Sequence, residues 1–262
     1  MRVKPKSWIG LVVFLAYLIL IIGVQLLLGI DYLRLGESES SILNWIVIPL
    51  AIGAVFLVVA TTFLGWWRPV LVEKQRAPRW LIIPGALLVV ASVAIIILRG
   101  FEGFTPTMVL YLALGTLLVG FCEELATRGV PIVGFRGSEL TETKVWLFST
   151  LLFAGMHLAN FFTGAGLGVV LQFFFTFGAG TVYYLVRRSS GSIVWAMLVH
   201  ALWDFATVGG TDDPLLASLI LFGKILAGGL ALLFVIIYLS KHKGQKVAQY
   251  GGETAPKPAP VG

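Results

Sequence analysis

Residues 107–129 read TMVLYLALGTLLVGFCEELATRG. A helix needs about 20 mostly apolar residues, rising 1.5 Å each, to cross the hydrocarbon of a bilayer. This run has that length, yet it ends in two adjacent carboxylates and an arginine. Ionisable side chains at membrane depth are costly and by default mark function or a compensated pair. The rest of the chain supports lipid as the solvent. Of 262 residues, 58% are apolar and only 12% charged, with a mean hydropathy of +0.94. Water-soluble domains carry about a quarter charged residues. A disulfide scaffold is excluded because Cys122 is the only cysteine, and disorder because charge is scarce.

Outward from that stretch, the spacing predicts about eight transmembrane helices and hence an all-α polytopic fold. They lie near 8–30, 45–67, 80–98, 107–129, 145–163, 166–186, 191–208 and 214–240. Breaks fall at Arg68-Pro69, Ala77-Pro78-Arg79, Thr105-Pro106, Gly129 with Pro131, Gly164 to Gly168, Ser189-Ser190-Gly191 and Thr211 to Pro214. Trp45, Trp66, Trp67, Trp80, Trp146 and Trp195 sit near span ends, as interfacial belts do. Residues 1–240 read as one membrane domain and 241–262 as a flexible cytosolic tail. The basic N-terminus and long apolar run suit a retained signal-anchor.

Alternating the spans from a cytosolic N-terminus gathers Arg2, Lys4, Lys6, Arg68, Lys74, Arg76, Arg79, Arg136, Lys144, Arg187, Arg188, Lys241, Lys243, Lys246 and Lys257 on one side. Arg34 and Arg99 fall on the other, with Asp31, Glu37, Glu39, Glu102, Asp212 and Asp213. The positive-inside rule then places both termini in the cytosol and the chain in the cell membrane as a multi-pass protein. The net charge of +6 belongs to this asymmetry, so no nucleic-acid partner is expected.

The polar residues at membrane depth are Glu123, Glu124, Arg128, His157, His200, Asp204 and Lys224. Glu124 and Arg128 are four apart and share a face, which predicts an ion pair and leaves Glu123, about 100° away, without a cation. His200 and Asp204 are also four apart, and Phe153, His157 and Asn160 line one face. Asn160 reads as a polar brace, Phe153 as packing and Lys224 as a snorkelling or paired cation. Glu123, His157 and His200 fall roughly 9, 18 and 14 Å from the inner ends of their spans. Those depths predict one polar cavity in the cytosolic half of the bilayer.

Glu123-Glu124-x-x-x-Arg128, Phe153-x-x-x-His157 and His200-x-x-x-Asp204 resemble, in order and membrane context, the motifs of the CAAX protease and bacteriocin-processing (CPBP, or Abi) family, to which the type II CAAX prenyl endopeptidases belong. The resemblance covers a core of about residues 107–208. It implies an intramembrane endopeptidase with a cavity open to the cytosol. Glu123 would be the general base toward water, His157 would help hold that water, and His200 with Asp204 would stabilise the oxyanion. Glu124 and Arg128 would shape the site. The family pattern has Asn or Asp at position 204; an ionised Asp cannot donate, so Asp204 is either protonated or, on the favoured reading, holds His200 as the donating imidazolium.

No cofactor is required on this reading. Two histidines and a glutamate are also a zinc donor set, so zinc held by Glu123, His157 and His200 stands as the alternative, although HExxH is absent. The competing functions are a proton-coupled transporter, with the Glu/His/Asp cluster as relay, and a non-catalytic membrane maturation or immunity protein. Expected partners are the lipid bilayer and a peptide or protein substrate, lipid-modified or not. Phe173, Phe174, Phe175 and Phe177 could line an apolar substrate groove or face lipid.

Overall fold

Short polar side chains and prolines fix where several helices begin. Thr105 Oγ1 accepts from the Met108 amide at 3.1 Å just ahead of Pro106, and the Asp213 carboxylate accepts from the Leu215 and Leu216 amides ahead of Pro214. Both arrangements satisfy amides that a first turn leaves orphaned, and proline needs none there. In the computed structural model, which describes residues 1–248, eight helices result: α1 Ser7–Leu27, α2 Glu39–Leu64, α3 Arg79–Arg99, α4 Pro106–Gly137, α5 Glu142–Thr163, α6 Gly168–Ser190, α7 Ile193–Thr207 and α8 Pro214–Lys241. Seven are long and apolar enough to cross a membrane, while α7 has 15 residues. The chain is an all-α polytopic membrane protein. Ile19, Phe63, Ile97 and Leu110 are exposed on its sides, as lipid-facing residues should be.

The expected break at Gly129 and Pro131 does not occur. α4 runs on to Gly137 through a π-helical turn at Leu125–Gly129, and α2 has a matching π-turn at Leu43–Val47 ahead of Pro49. A proline in a helix has no amide for the carbonyl four residues back, and its ring crowds that carbonyl. Widening the preceding turn absorbs both problems without stopping the helix. α5 shows the opposite adjustment, tightening from α-helix into a 3-10 stretch over His157–Thr163.

Hydrogen bonds sort the connections onto two faces. On the first, Arg2 and Val3 donate to the Leu64 carbonyl, Ser7 to Ser138, Glu73 to Gly191, Ala77 to Arg188 and Glu142 to Gln245. This terminal face therefore holds the N-terminus, the 65–79 connection and residues 242–248. Lys246 pairs with Glu139 and Val247 is buried there; residues 249–262, the remainder of the expected tail, lie outside the described residues. On the opposite face Arg99 donates to the Val208 carbonyl, Gln172 to the Tyr32 hydroxyl and Thr105 to Glu39.

Just inside the terminal face lies a buried ion network. Glu73 takes Arg136 at 3.0 Å, Arg187 at 2.7 Å and Arg188 at 2.6 Å, while Glu142 takes Arg136 at 2.6 Å and Arg188 at 3.1 Å. The Tyr184 hydroxyl also donates to Glu142. Arg187 reaches the carbonyls of Arg128 and Pro69, which couples the network to α4. Burial alone would push the Glu73 carboxyl up, but the guanidinium groups of Arg136, Arg187 and Arg188 outweigh it and hold that carboxyl well below the usual carboxylate range.

Close helix contacts rest on small residues. A Cβ at Gly120 of α4 would stand 3.1 Å from the Ala201 amide of α7, and one at Gly178 of α6 would stand 3.2 Å from the Gly228 Cα of α8. Such contacts let backbones approach where lipid offers no hydrophobic drive between helices.

Candidate active site

The π-turn in α4 sits immediately after Glu123 and Glu124, and it carries Arg128. Across it the Arg128 guanidinium reaches Glu124 Oε1 at 2.7 Å, both side chains fully buried. The i,i+4 pair expected from spacing is therefore formed. Arg128 also lies over the Phe153 ring, 4.0 Å from its centroid. Room for the guanidinium comes from α6, where a Cβ at Gly180 would stand 2.6 Å from Arg128 Nη2 and 3.1 Å from Phe153. We expect Gly180→Val to displace Arg128 at a cost of about 1–3 kcal/mol. A lowered melting temperature together with lost activity, both milder in Gly180→Ala, would be the measured result.

Both imidazoles turn the same ring atom toward Glu123. His157 Nδ1 donates to the Phe153 carbonyl at 2.7 Å, because a carbonyl only accepts, and Nε2 then faces Glu123 Oε2 at 3.9 Å. His200 Nδ1 lies 3.1 Å from Glu124 Oε1, and its Nε2 lies 3.8 Å from the same Glu123 Oε2. The His200 ring stacks on Tyr183 at 4.5 Å and meets Phe153 edge-on. Glu123 Oε2 is buried without a hydrogen-bond partner, as are Glu124 Oε2 and Arg128 Nε and Nη2. Unsatisfied buried polar atoms are few in native proteins, so this cluster requires an explanation.

Asp204 Oδ2 stands at ion-pair distance, 3.5 Å, from His200 Nε2, while Glu124 Oε1 hydrogen-bonds the other ring nitrogen at 3.1 Å. One helical turn brought Asp204 near the ring, but the packing of α4 on α7 put Glu124 closer to Nδ1. Asp204 is 22% exposed and Glu123 18%, whereas Glu124 and Arg128 are sealed.

These side chains floor a cavity of about 820 Å³. Glu123, His157, His200 and Asp204 line its deep part; Tyr32, Leu33, Asn160 and Gly209 to Thr211 line its upper part. No lining residue comes from the terminal face. The expectation of a cavity opening on the same side as the termini is thus corrected: Arg128, Tyr183 and the Glu73/Glu142 network close that side, and the cavity opens on the opposite face.

At the upper part, Asn160 donates to Gln172, which donates to the Tyr32 hydroxyl, tying α5, α6 and the 28–38 connection together. Spacing could not reveal Tyr32 and Gln172, which meet across 140 residues. Phe175 alone of Phe173, Phe174, Phe175 and Phe177 lines the cavity; Phe174 is exposed, and Phe177 packs on Trp146. Lys224 lines the cavity beside Phe175. Phe153, read as packing, is a hub that touches Arg128, His157, Tyr183 and His200.

A zinc ion at about 2.0–2.1 Å from each donor would draw tetrahedral ligands closer together than 3.8–3.9 Å. Among the described residues no three of His, Cys, Asp and Glu are grouped to hold a metal ion. The donor set matches zinc in kind, and its two separations are about 0.5 Å longer than the edge of a tetrahedral site.

A carboxylate and two imidazoles thus meet at the bottom of a cavity in a helical multi-pass protein. Residues 87–206, from within α3 to the end of α7, match the family described as Type II CAAX prenyl endopeptidase Rce1-like. That match, over somewhat less than half of the chain, supports assignment to the CPBP/CAAX protease family, a family of CAAX-type intramembrane proteases. The matched segment contains Glu123, Glu124, Arg128, His157, Asn160, His200 and Asp204. No curated protein and no solved structure gives a significant match.

Proposed function

We propose that the chain is an intramembrane endopeptidase that activates water with Glu123 and needs no metal. The observation that carries this reading is the position of Glu123 Oε2, free of any partner and 3.8–3.9 Å from the Nε2 atoms of two histidines on separate helices. Polar atoms at such separations are bridged well by one water. His157, its Nδ1 committed to a carbonyl, accepts from that water through Nε2, and Glu123 takes a proton from it. The hydroxide adds to the peptide carbonyl carbon. His200, protonated on both nitrogens, gives Nδ1–H to Glu124 and Nε2–H to the developing oxyanion. Glu123 then passes its proton to the leaving nitrogen as the C–N bond breaks. One preorganised oxyanion donor is worth about 3–4 kcal/mol, and general acid–base transfer about 10²–10⁴ in rate.

Arg128 neutralises Glu124, which leaves Glu123 as the carboxylate available for proton transfer. Asp204 lies beside His200 at the open side of the cavity, where it positions the substrate amide or supports the imidazolium. The test is a comparison of peptide fragments from membranes holding wild-type or Glu123→Gln protein, each with and without chelator. Fragments that appear only with wild type and resist chelation are expected. Their loss on chelation would replace the water-only reading with a metal-dependent one.

A further inference from the structure

Of the charged side chains lining the cavity, Lys224 alone has no part in the chemistry above, and it is the only lysine or arginine there among the described residues. Ala217, Ile220, Leu221, Ala227 and Gly228 line the cavity with it, and their spacing makes them one face of α8. Backbone contacts hold that face in place. A Cβ at Gly228 would stand 3.3 Å from the Gly178 Cα of α6, and one at Gly223 would stand 3.3 Å from the Trp203 ring of α7. α8 is therefore fixed in rotation, with Lys224 turned into the cavity between α6 and α7.

The Lys224 ammonium makes no hydrogen bond or ion pair with the described residues. Its neighbours are the Phe175 ring, whose centroid is 5.9 Å away, and Asp204, which acts on it electrostatically. Asp204 shares its charge with His200, at 3.5 Å, so the ammonium keeps attraction to offer. Nor can it reach water at the membrane surface, because Lys224 lies about 15 Å along α8 from Pro214. A cation kept at such depth is costly and marks a function.

We infer that Lys224 anchors a substrate subsite that takes a carboxylate of the bound polypeptide, supplied either by an acidic side chain or by a free C-terminus. This rests on the endopeptidase reading above and names part of its substrate. An ammonium is a compact charge with three donors on a flexible stem, so it pairs with a carboxylate without demanding one geometry. The same charge repels a polypeptide that would bring Lys or Arg to this position. Lys224 thus selects what binds, and the proton transfers stay with Glu123 and the histidines.

The test uses the full chain in detergent and three libraries of short random-sequence peptides. The first has free C-termini and lacks Asp and Glu, the second has amidated C-termini and contains them, and the third is amidated and lacks them. Wild type should cleave the first or the second at least about tenfold faster than the third, and whichever it is identifies the source of the carboxylate. In Lys224→Met that ratio should fall to near one, and Lys224→Arg should keep most of it. A ratio unchanged in Lys224→Met, or a wild type that cleaves all three libraries alike, overturns the subsite. Binding is read separately in Glu123→Gln protein, whose melting temperature should rise with the favoured library and should not rise once Lys224→Met is added. A rise that survives Lys224→Met also overturns the subsite. A Lys224-dependent rise with no cleavage by wild type would support the subsite and overturn the endopeptidase reading; neither rise nor cleavage would overturn both.

Discussion

Glu123→Gln is expected to lower peptide cleavage by about three orders of magnitude and to leave the protein as stable as wild type. Amide for carboxylate removes the base and changes little else. Glu123 Oε2 has no hydrogen-bond partner to lose, and neither imidazole is closer than 3.8 Å to it. Burying a carboxylate is a cost to folding that an imidazolium at 3.8 Å offsets only in part, so neutralising it should change the melting temperature little. Glu124→Gln is the control. There the loss of activity should come with destabilisation, because Arg128 at 2.7 Å and His200 at 3.1 Å both lose their acceptor charge. Measuring cleavage and melting for the two variants separates base from scaffold. Cleavage persisting in Glu123→Gln would remove Glu123 from catalysis, and the same melting loss in both variants would make the pair a structural unit.

Glu73→Ala is expected to cost about 3–5 kcal/mol, because removing one member of a buried ion group strands the others. Three guanidinium groups, on Arg136, Arg187 and Arg188, would lose their shared carboxylate, and only Glu142 would remain to compensate two of them. Since the Glu73 carboxyl is held below its ordinary range, its contribution is fully present at neutral pH and is withdrawn only in acid, as pH falls through that lowered value. The measurement is the melting temperature in detergent from neutral pH downward. A large gap between wild type and Glu73→Ala should narrow toward strong acid. A gap independent of pH would assign the effect to packing alone.

Much of the fold and part of the site could be read before any coordinates. Eight apolar stretches, their polar breaks and the one-sided Lys and Arg follow from the physics of lipid, which tolerates neither unpaired backbone nor stray charge. The i,i+4 spacing of Glu124 with Arg128 dictated their pairing because helix geometry is local. The convergence of Glu123, His157 and His200 followed from depth, since every residue advances a helix by the same rise.

What the sequence left open depended on contacts between distant segments. Gly129 and Pro131 read as a stop, but the surrounding helices held α4 together across a π-turn, because its flanking residues were already buried. Arg136, Arg187 and Arg188 read as connection charges, but the fold turned them inward onto Glu73, 63 to 115 residues away, with Glu142 beside it. Glu124 joined Asp204 in holding His200, and Tyr32 met Gln172, through packing that no periodicity encodes. The side on which the cavity opens was likewise a tertiary matter. Depth along a helix is measured from either end alike, and only the packing of α1, α6, α7 and α8 around Glu123 decided which end was left open.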